Sequence, residues 1–350
     1  MCKQALAFDD VLIRPQYSDV LSRDDVNIST MISQNYRINI PIVSSPMDTV
    51  SGLKMAWELR RLGAVGILHR FMSIEEQIDC VTKLAIDSNW INSPGISVIA
   101  AAIGANGDAL RRATALLVAG ANLLCIDVAH GHHVHVKNLI KQLIELQKDF
   151  QFDIMAGSIA TKQAAEDIVE WGANSLRAGI GGGSICSSRV MTGCGMPTLE
   201  SVMEICETVG KYVPVIADGG IRTSGDVAKA IAAGANACML GSLLATTEES
   251  PGEIFIEGLE PNTTRMKMYR GAASATTKLK HTGAAEHIEG VSKIVRISGP
   301  VKNMITHLTD GLTSAMSYVG ATSIPEFQDR SEFIQITSSG LTESHPHILR

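Results

Sequence analysis

Short apolar runs that end in small or polar residues, each followed by a stretch with helical spacing, recur along the whole chain. They fall at 40–45 (IPIVSS), 64–69 (AVGILH), 96–101 (ISVIAA), 122–127 (NLLCID), 153–157 (DIMAG), 175–180 (SLRAGI), 213–218 (VPVIAD) and 236–241 (NACMLG). The spacing between them predicts helices over 51–62, 74–86, 106–119, 133–148, 161–171, 197–209 and 224–233, with a further one over 301–320. Gly120, Gly172 and Gly234 follow three of these helices, where glycine commonly ends a helix before the next strand. Eight βα units of roughly 25–30 residues predict an α/β chain folded as a single (β/α)8 TIM barrel over residues 1–350. A doubly wound open sheet is the alternative, but it seldom holds one phase over eight strands, and no early GxGxxG fingerprint is present.

One stretch resists the rhythm. Residues 250–300 are rich in Gly, Thr, Lys and His without a clear period, which predicts a loop or lid near the active face. No Pro/Ser-rich linker or shift in composition divides the chain, so no second domain is expected.

Composition narrows this picture. Apolar residues make up 45% and aromatics only 4%, so the core must be built from Ala, Val, Ile and Leu, as in parallel sheets covered on both faces. A net charge of −6 without a Lys/Arg run argues against a protein that coats nucleic acid, while a small anionic ligand stays compatible with a local positive pocket. Cys2, Cys80, Cys125, Cys186, Cys194, Cys206 and Cys238 form no CxxC pair, which fits reduced thiols better than a disulfide framework or zinc site. Residues 1–20 carry Asp9, Asp10 and Arg14 and no apolar signal core, and no run approaches the ~18 apolar residues of a membrane span. The expectation is a cytoplasmic protein with no membrane partner.

In this fold, function sits on the loops after the strands' C-terminal ends. Those loops hold Asp127 and His130, the segment 179–189, Asp218–Gly220 and Gly241–Ser242. Residues 179–186 place Ser184 and Cys186 in a glycine-rich turn, where main-chain N–H groups can approach a phosphate and carbonyls can converge on a cation. Cys186 is there either an activated nucleophile or an incidental small residue of a tight turn. Asp218, followed by Gly219 and Gly220, can accept from ribose hydroxyls or cap the next helix. His130 and His132 at i, i+2 in a loop lack a nearby carboxylate pair, so no transition metal is predicted. The KLKH stretch from Lys278 to His281 reads as a solvated face.

The segment GGGSICSSR (181–189) resembles the catalytic loop of the IMP dehydrogenase/GMP reductase family. FDDVLIRP (8–15), IVSSPMDTV (42–50), VIADGGIRTSGDVAKAIAAGA (215–235) and GSLLATTEESPGE (241–253) resemble the same family, in the same order. The resemblance implies that Cys186 attacks purine C2 of GMP or IMP, with hydride moving between that carbon and a nicotinamide cofactor. It assigns Ser184, Gly220, Gly241, Ser242 and Tyr269 to the 5′-phosphate side, Asp218 to the ribose, and Gly219, Gly271 and Gly290 to the substrate. It places Asp127, Val128 and Ala129, with Ser22, Arg23, Ser314 and Ser317, on the cofactor side, and gives a K+ ion the carbonyls of Gly181, Gly183 and Cys186. Glu289 matches the family's acidic residue and Ser188 stands where the family has Thr, a pair suited to moving a proton.

Within the family, two features point to a reductase: only about 88–95 separates the second helix from the third strand, leaving no room for inserted regulatory modules, and no Arg-Tyr pair lies between Tyr269 and Glu289. LIRP (12–15), Ser22–Arg23 and IDVA (126–129) are similar to reductases, whereas IVSSPMDTV, DGGIRTSGD and the ESHPH tail are similar to dehydrogenases. Where dehydrogenases have Met-Gly after YRG, this chain has Ala272 and Ala273, so its base contacts differ. The expectation is an NADPH-dependent GMP reductase assembled as a homotetramer, with an NAD-dependent IMP dehydrogenase as the alternative.

Overall fold

The computed structural model describes residues 3–86, 98–258, 263–282 and 286–346. Eight parallel strands close into a barrel: β1 (Ile42–Ser44), β2 (Val65–Leu68), β3 (Ala100–Ile103), β4 (Leu123–Asp127), β5 (Asp153–Ile159), β6 (Ser175–Ala178), β7 (Val215–Asp218) and β8 (Ala237–Leu240). Closure comes from β8 against β1, with Cys238 opposite Ile42 and Leu240 opposite Ser44. Each strand is followed by helix, as expected: α1 (Leu53–Leu62), α2 (Ile74–Ala85), α3 (Ala109–Val118), α4 (Val134–Leu146), α5 (Lys162–Trp171), α6 (Thr198–Val209), α7 (Ser224–Ala232) and, after the last strand, α8 (Val301–Val319). Gly120, Gly172 and Gly234 all have φ between 107° and 110°, the left-handed turn that lets the chain leave a helix.

The expected third strand lies later than 96–101, since Ala102 and Ile103 continue the pairing against Cys125 and Ile126, and the stretch near 88–95 lies outside the described residues.

Side chains alternate across each strand, and the alternation sorts the core into two layers. Val43, Val65, Ile67, Ala100, Ala102, Leu123, Cys125, Met155, Ile216, Ala237 and Met239 fill the barrel interior. The intervening residues, such as Ala101, Leu124, Ile154, Leu176, Val215 and Leu240, pack outward against the helices. An antiparallel hairpin, Thr30–Ser33 with Tyr36–Ile38, adds Ile32 and Ile38 to the interior cluster.

The stretch 250–300 is more regular than its composition predicts. It forms an antiparallel sheet of β9 (Ile254–Glu257), β10 (Thr264–Arg270) and β11 (Ser292–Arg296), with a helix over Ala275–Thr282. In β10 the fully buried residues are Lys267 and Tyr269, so the inward face carries polar groups and the hydrophobic pattern hides the strand. Among the described residues no helix is long and apolar enough to cross a membrane.

Candidate active site

Strand parity decides what faces the top of the barrel. Asp127 shares the inward register of Leu123 and Cys125, Asp218 that of Ile216, and Arg177 lies between the outward-packed Leu176 and Ala178. The upper interior layer is therefore ionic. Arg177 Nη1 donates to Asp127 Oδ1 at 2.8 Å, and Nη2 donates to Asp218 Oδ2 at 2.8 Å. Ser158 Oγ donates to the same Asp218 oxygen at 3.3 Å. Burial works against the Arg177 charge, but Asp218, Cys125 and Asp127 outweigh it and hold the guanidinium well above its ordinary pKa. Nothing in the sequence reading singled out Arg177; its signal was a charged residue at an inward position of a buried strand.

Asp218 does not cap the following helix. Thr223 does, its hydroxyl accepting from Asp226 N while the Asp226 carboxylate accepts from Thr223 N. Gly179 is needed where the ends of β6 and β7 converge, because a Cβ there would lie 2.1 Å from the Asp218 carbonyl oxygen.

After β6 the chain makes the glycine-rich turn and exposes Cys186. The Cys186 N–H donates to the Gly183 carbonyl at 3.0 Å, and Sγ donates to Ser188 Oγ at 3.3 Å. Ser188 Oγ donates in turn to Glu289 Oε2 at 2.6 Å. Main-chain bonds hold the two segments together across more than a hundred residues: Ser187 N to Glu289 O at 3.0 Å, and Val291 N to Ile185 O at 3.0 Å. The three side chains thus form one hydrogen-bonded line.

That line borders a cleft of about 420 Å³, which also meets Arg70, Asp127, Val128, Ala129, Arg177, Gly271, Ala272, Ala273, Lys278, His287 and Gly290. A smaller cavity of about 60 Å³ adjoins it, sharing Ser45, Met47, Gly183 and Tyr269 and adding Ser184, Asp218, Gly219, Gly220, Gly241 and Ser242. Tyr269 is buried there and lines the cavity with Ser184; burial pushes its phenol up, so it remains a donor. Ser22, Arg23, Ser314 and Ser317 line neither cavity. Ser22 caps the turn Arg23–Asp25, which packs against α8, the helix bearing Ser314 and Ser317.

Lys278 departs from the solvated face expected of it: it lines the cleft and donates to the carbonyls of Glu286 and His287. The side chains of 280 and 281 in that stretch lie outside the described residues. His132 is paired with Asp167 at 2.7 Å and stacks near Trp171. Among the described residues, no three His, Cys, Asp or Glu side chains gather to hold a metal ion.

A family model described as the IMP dehydrogenase / GMP reductase domain matches residues 5–347. The chain belongs to the IMP dehydrogenase/GMP reductase family. Among curated relatives, the inosine-5′-monophosphate dehydrogenase of Cryptosporidium parvum is 35% identical, over 98% of this chain and 95% of that protein. The GMP reductase of Leishmania major is 31% identical, over 98% and 97% respectively. A solved structure of a Cys-to-Ala variant of GMP reductase from Trypanosoma brucei, in complex with guanosine 5′-monophosphate, superimposes with a TM-score of 0.89 at 31% identity. It covers 99% of this chain and 98% of that one. Relatives that act in either direction thus lie at similar distance, and family membership supports an oxidoreductase of the GMP reductase or IMP dehydrogenase type.

Proposed function

We propose that the chain is a GMP reductase, converting GMP to IMP and ammonia with NADPH through a covalent adduct on Cys186. The observation that carries this reading is the line Cys186–Ser188–Glu289, with links of 3.3 and 2.6 Å. Cys186 forms the bond to purine C2 and the 2-amino group leaves as ammonia; hydride arriving at C2 would then break the Cys186–C2 bond, releasing IMP and returning the thiolate. Ser188 and Glu289 supply the proton that the leaving amine takes up, and they draw the thiol proton away from Cys186 as it attacks. No Arg-Tyr pair lies between Tyr269 and Glu289 to activate water, which leaves ammonia as the favoured partner of the adduct.

The smaller cavity is suited to the 5′-phosphate, held by main-chain N–H groups of the glycine turns with the hydroxyls of Ser184, Ser242 and Tyr269. Asp218 is suited to the ribose: Arg177 and Ser158 occupy Oδ2, while Oδ1 takes no hydrogen bond among the described residues.

The cofactor side fits a polar, flat ring. Arg70 Nε is buried without a hydrogen-bond partner, 3.7 Å from Asp127 Oδ2, in the same cleft as Cys186. Arg70, Asp127, Val128 and Ala129 would hold the nicotinamide, which when bound supplies the hydride. A monovalent cation fits less completely. Gly183 O already accepts one hydrogen bond, leaving one lone pair there beside the carbonyls of Gly181 and Cys186, so further oxygens are required.

A dehydrogenase reading, IMP to XMP with NAD, is favoured by the 35% identity to the Cryptosporidium parvum enzyme. Ammonia released from GMP by the purified protein, with none released by Cys186→Ala, supports the reductase. XMP formed from IMP, with no ammonia from GMP, establishes the dehydrogenase instead.

A further inference from the structure

We propose that Lys267 is a positioning residue for the smaller cavity: its ammonium ties β10 to the segment after β8 and so sets Tyr269 against Ser184 and Gly241. This rests on the reading of that cavity as the 5′-phosphate site.

Lys267 is 2% exposed, which for a lysine ordinarily requires a charged partner. Here its hydrogen-bond partners are neutral oxygens. Nζ donates to the carbonyls of Ser250 (2.5 Å), Glu248 (3.1 Å) and Thr247 (3.3 Å), with Ser250 Oγ at 3.3 Å. An ammonium has three N–H donors, so this cage uses all of them. Burial lowers its pKa, the cost of keeping a cation among carbonyls.

The location of the cage gives it a purpose. Residues 247–250 close the same segment that opens with Gly241 and Ser242 at the small cavity. The main-chain ladder of β10 runs sideways to β9 and β11, neither of them a barrel strand. Main-chain bonds from Ser298 N to Thr246 O and from Glu248 N to Gly299 O hold the far edge of this sheet to the segment after β8, and side chains fasten β10 itself. Lys267 does so two residues before Tyr269 and on the same face of the strand. One residue beyond, Arg270 pairs with Asp48, and its N–H donates to Thr49 Oγ1 at 3.2 Å, in the loop after β1. Tyr269 is held between the two clamps, its hydroxyl oxygen only 3.0 Å from where a Cβ on Gly241 would stand. A displacement of about 1 Å at such a site is enough to lose a productive contact.

The test is the dissociation constants of GMP and of guanosine, which lacks the phosphate, by titration calorimetry. They are measured on the wild type, Lys267→Met, Tyr269→Phe and the double variant. Lys267→Met is expected to weaken GMP about tenfold, the scale of one hydrogen bond to a charged group, and guanosine by no more than about twofold. The double variant is expected to be no weaker than about twice the weaker single, because both changes remove one contact. Should Lys267→Met fail to fold, Ser250→Ala removes one oxygen of the cage and is expected to weaken GMP alone by about threefold. Equal losses for GMP and guanosine, or additive losses in the double variant, overturn the role of Lys267. A wild type that binds GMP no better than guanosine overturns the phosphate reading instead.

Discussion

Replacing Arg177 by Leu removes the cation that bridges Asp127 and Asp218 while keeping an apolar stem in the barrel. The side chains of Arg177, Asp127 and Asp218 are 5%, 14% and 16% exposed, so solvent screens the loss little. Breaking a buried ion pair by deleting one partner costs about 3–5 kcal/mol. With about 2.1 cal/mol/K of unfolding entropy per residue, a chain of 350 residues unfolds with about 0.7 kcal/mol/K, so Tm at pH 7 falls by about 4–7 °C. The arginine's own pKa is raised, so its contribution is present at every pH below its ordinary value, and no loss from its titration enters the working range. Scanning calorimetry at pH 7 reads the deficit directly. A Tm within about 1 °C of wild type refutes the ionic-layer argument.

Cys186→Ala should abolish turnover while leaving the dissociation constant of GMP within about threefold, because the proposed phosphate and ribose contacts lie elsewhere; joint loss of both removes Cys186 from the role of nucleophile. Glu289→Gln should lower the rate of ammonia release by about 10²-fold or more, with a smaller effect on reduction, read by rapid quench against stopped-flow absorbance. Equal effects argue against the proton line. Mass-resolved alkylation at pH 8 should modify Cys186 and Cys194, which are exposed, and spare Cys125 and Cys206, whose thiols burial pushes up to about 11 and about 12. GMP should protect Cys186 and leave Cys194 reactive; the reverse would move the substrate site.

The barrel was legible because its strands need apolar residues on both faces and its helices need only one, so the two periods separate cleanly along the chain. All eight helices lie within three residues of where spacing predicts them. The glycine turn was legible for a local reason, since Gly179 permits the close approach of β7. Arg177 was not, because a charge inside an apolar run gives no hint of partners 41 and 50 residues away. β10 was hidden for the opposite reason: its inward positions are Lys267 and Tyr269, and a strand that buries a lysine defeats a hydrophobic pattern. Lys278 was misread because its partners are main-chain carbonyls, of Glu286 and His287, eight and nine residues further along, and a backbone oxygen leaves no mark in a charge pattern.

The most direct test of the proposed reaction follows the absorbance of reduced nicotinamide with purified protein and K+. One mixture holds GMP with NADPH, the other IMP with NAD. The account predicts a fall in the first, abolished by Cys186→Ala. A rise in the second with no change in the first contradicts it: the Ser188–Glu289 line would then be activating water, and the chain would be a dehydrogenase.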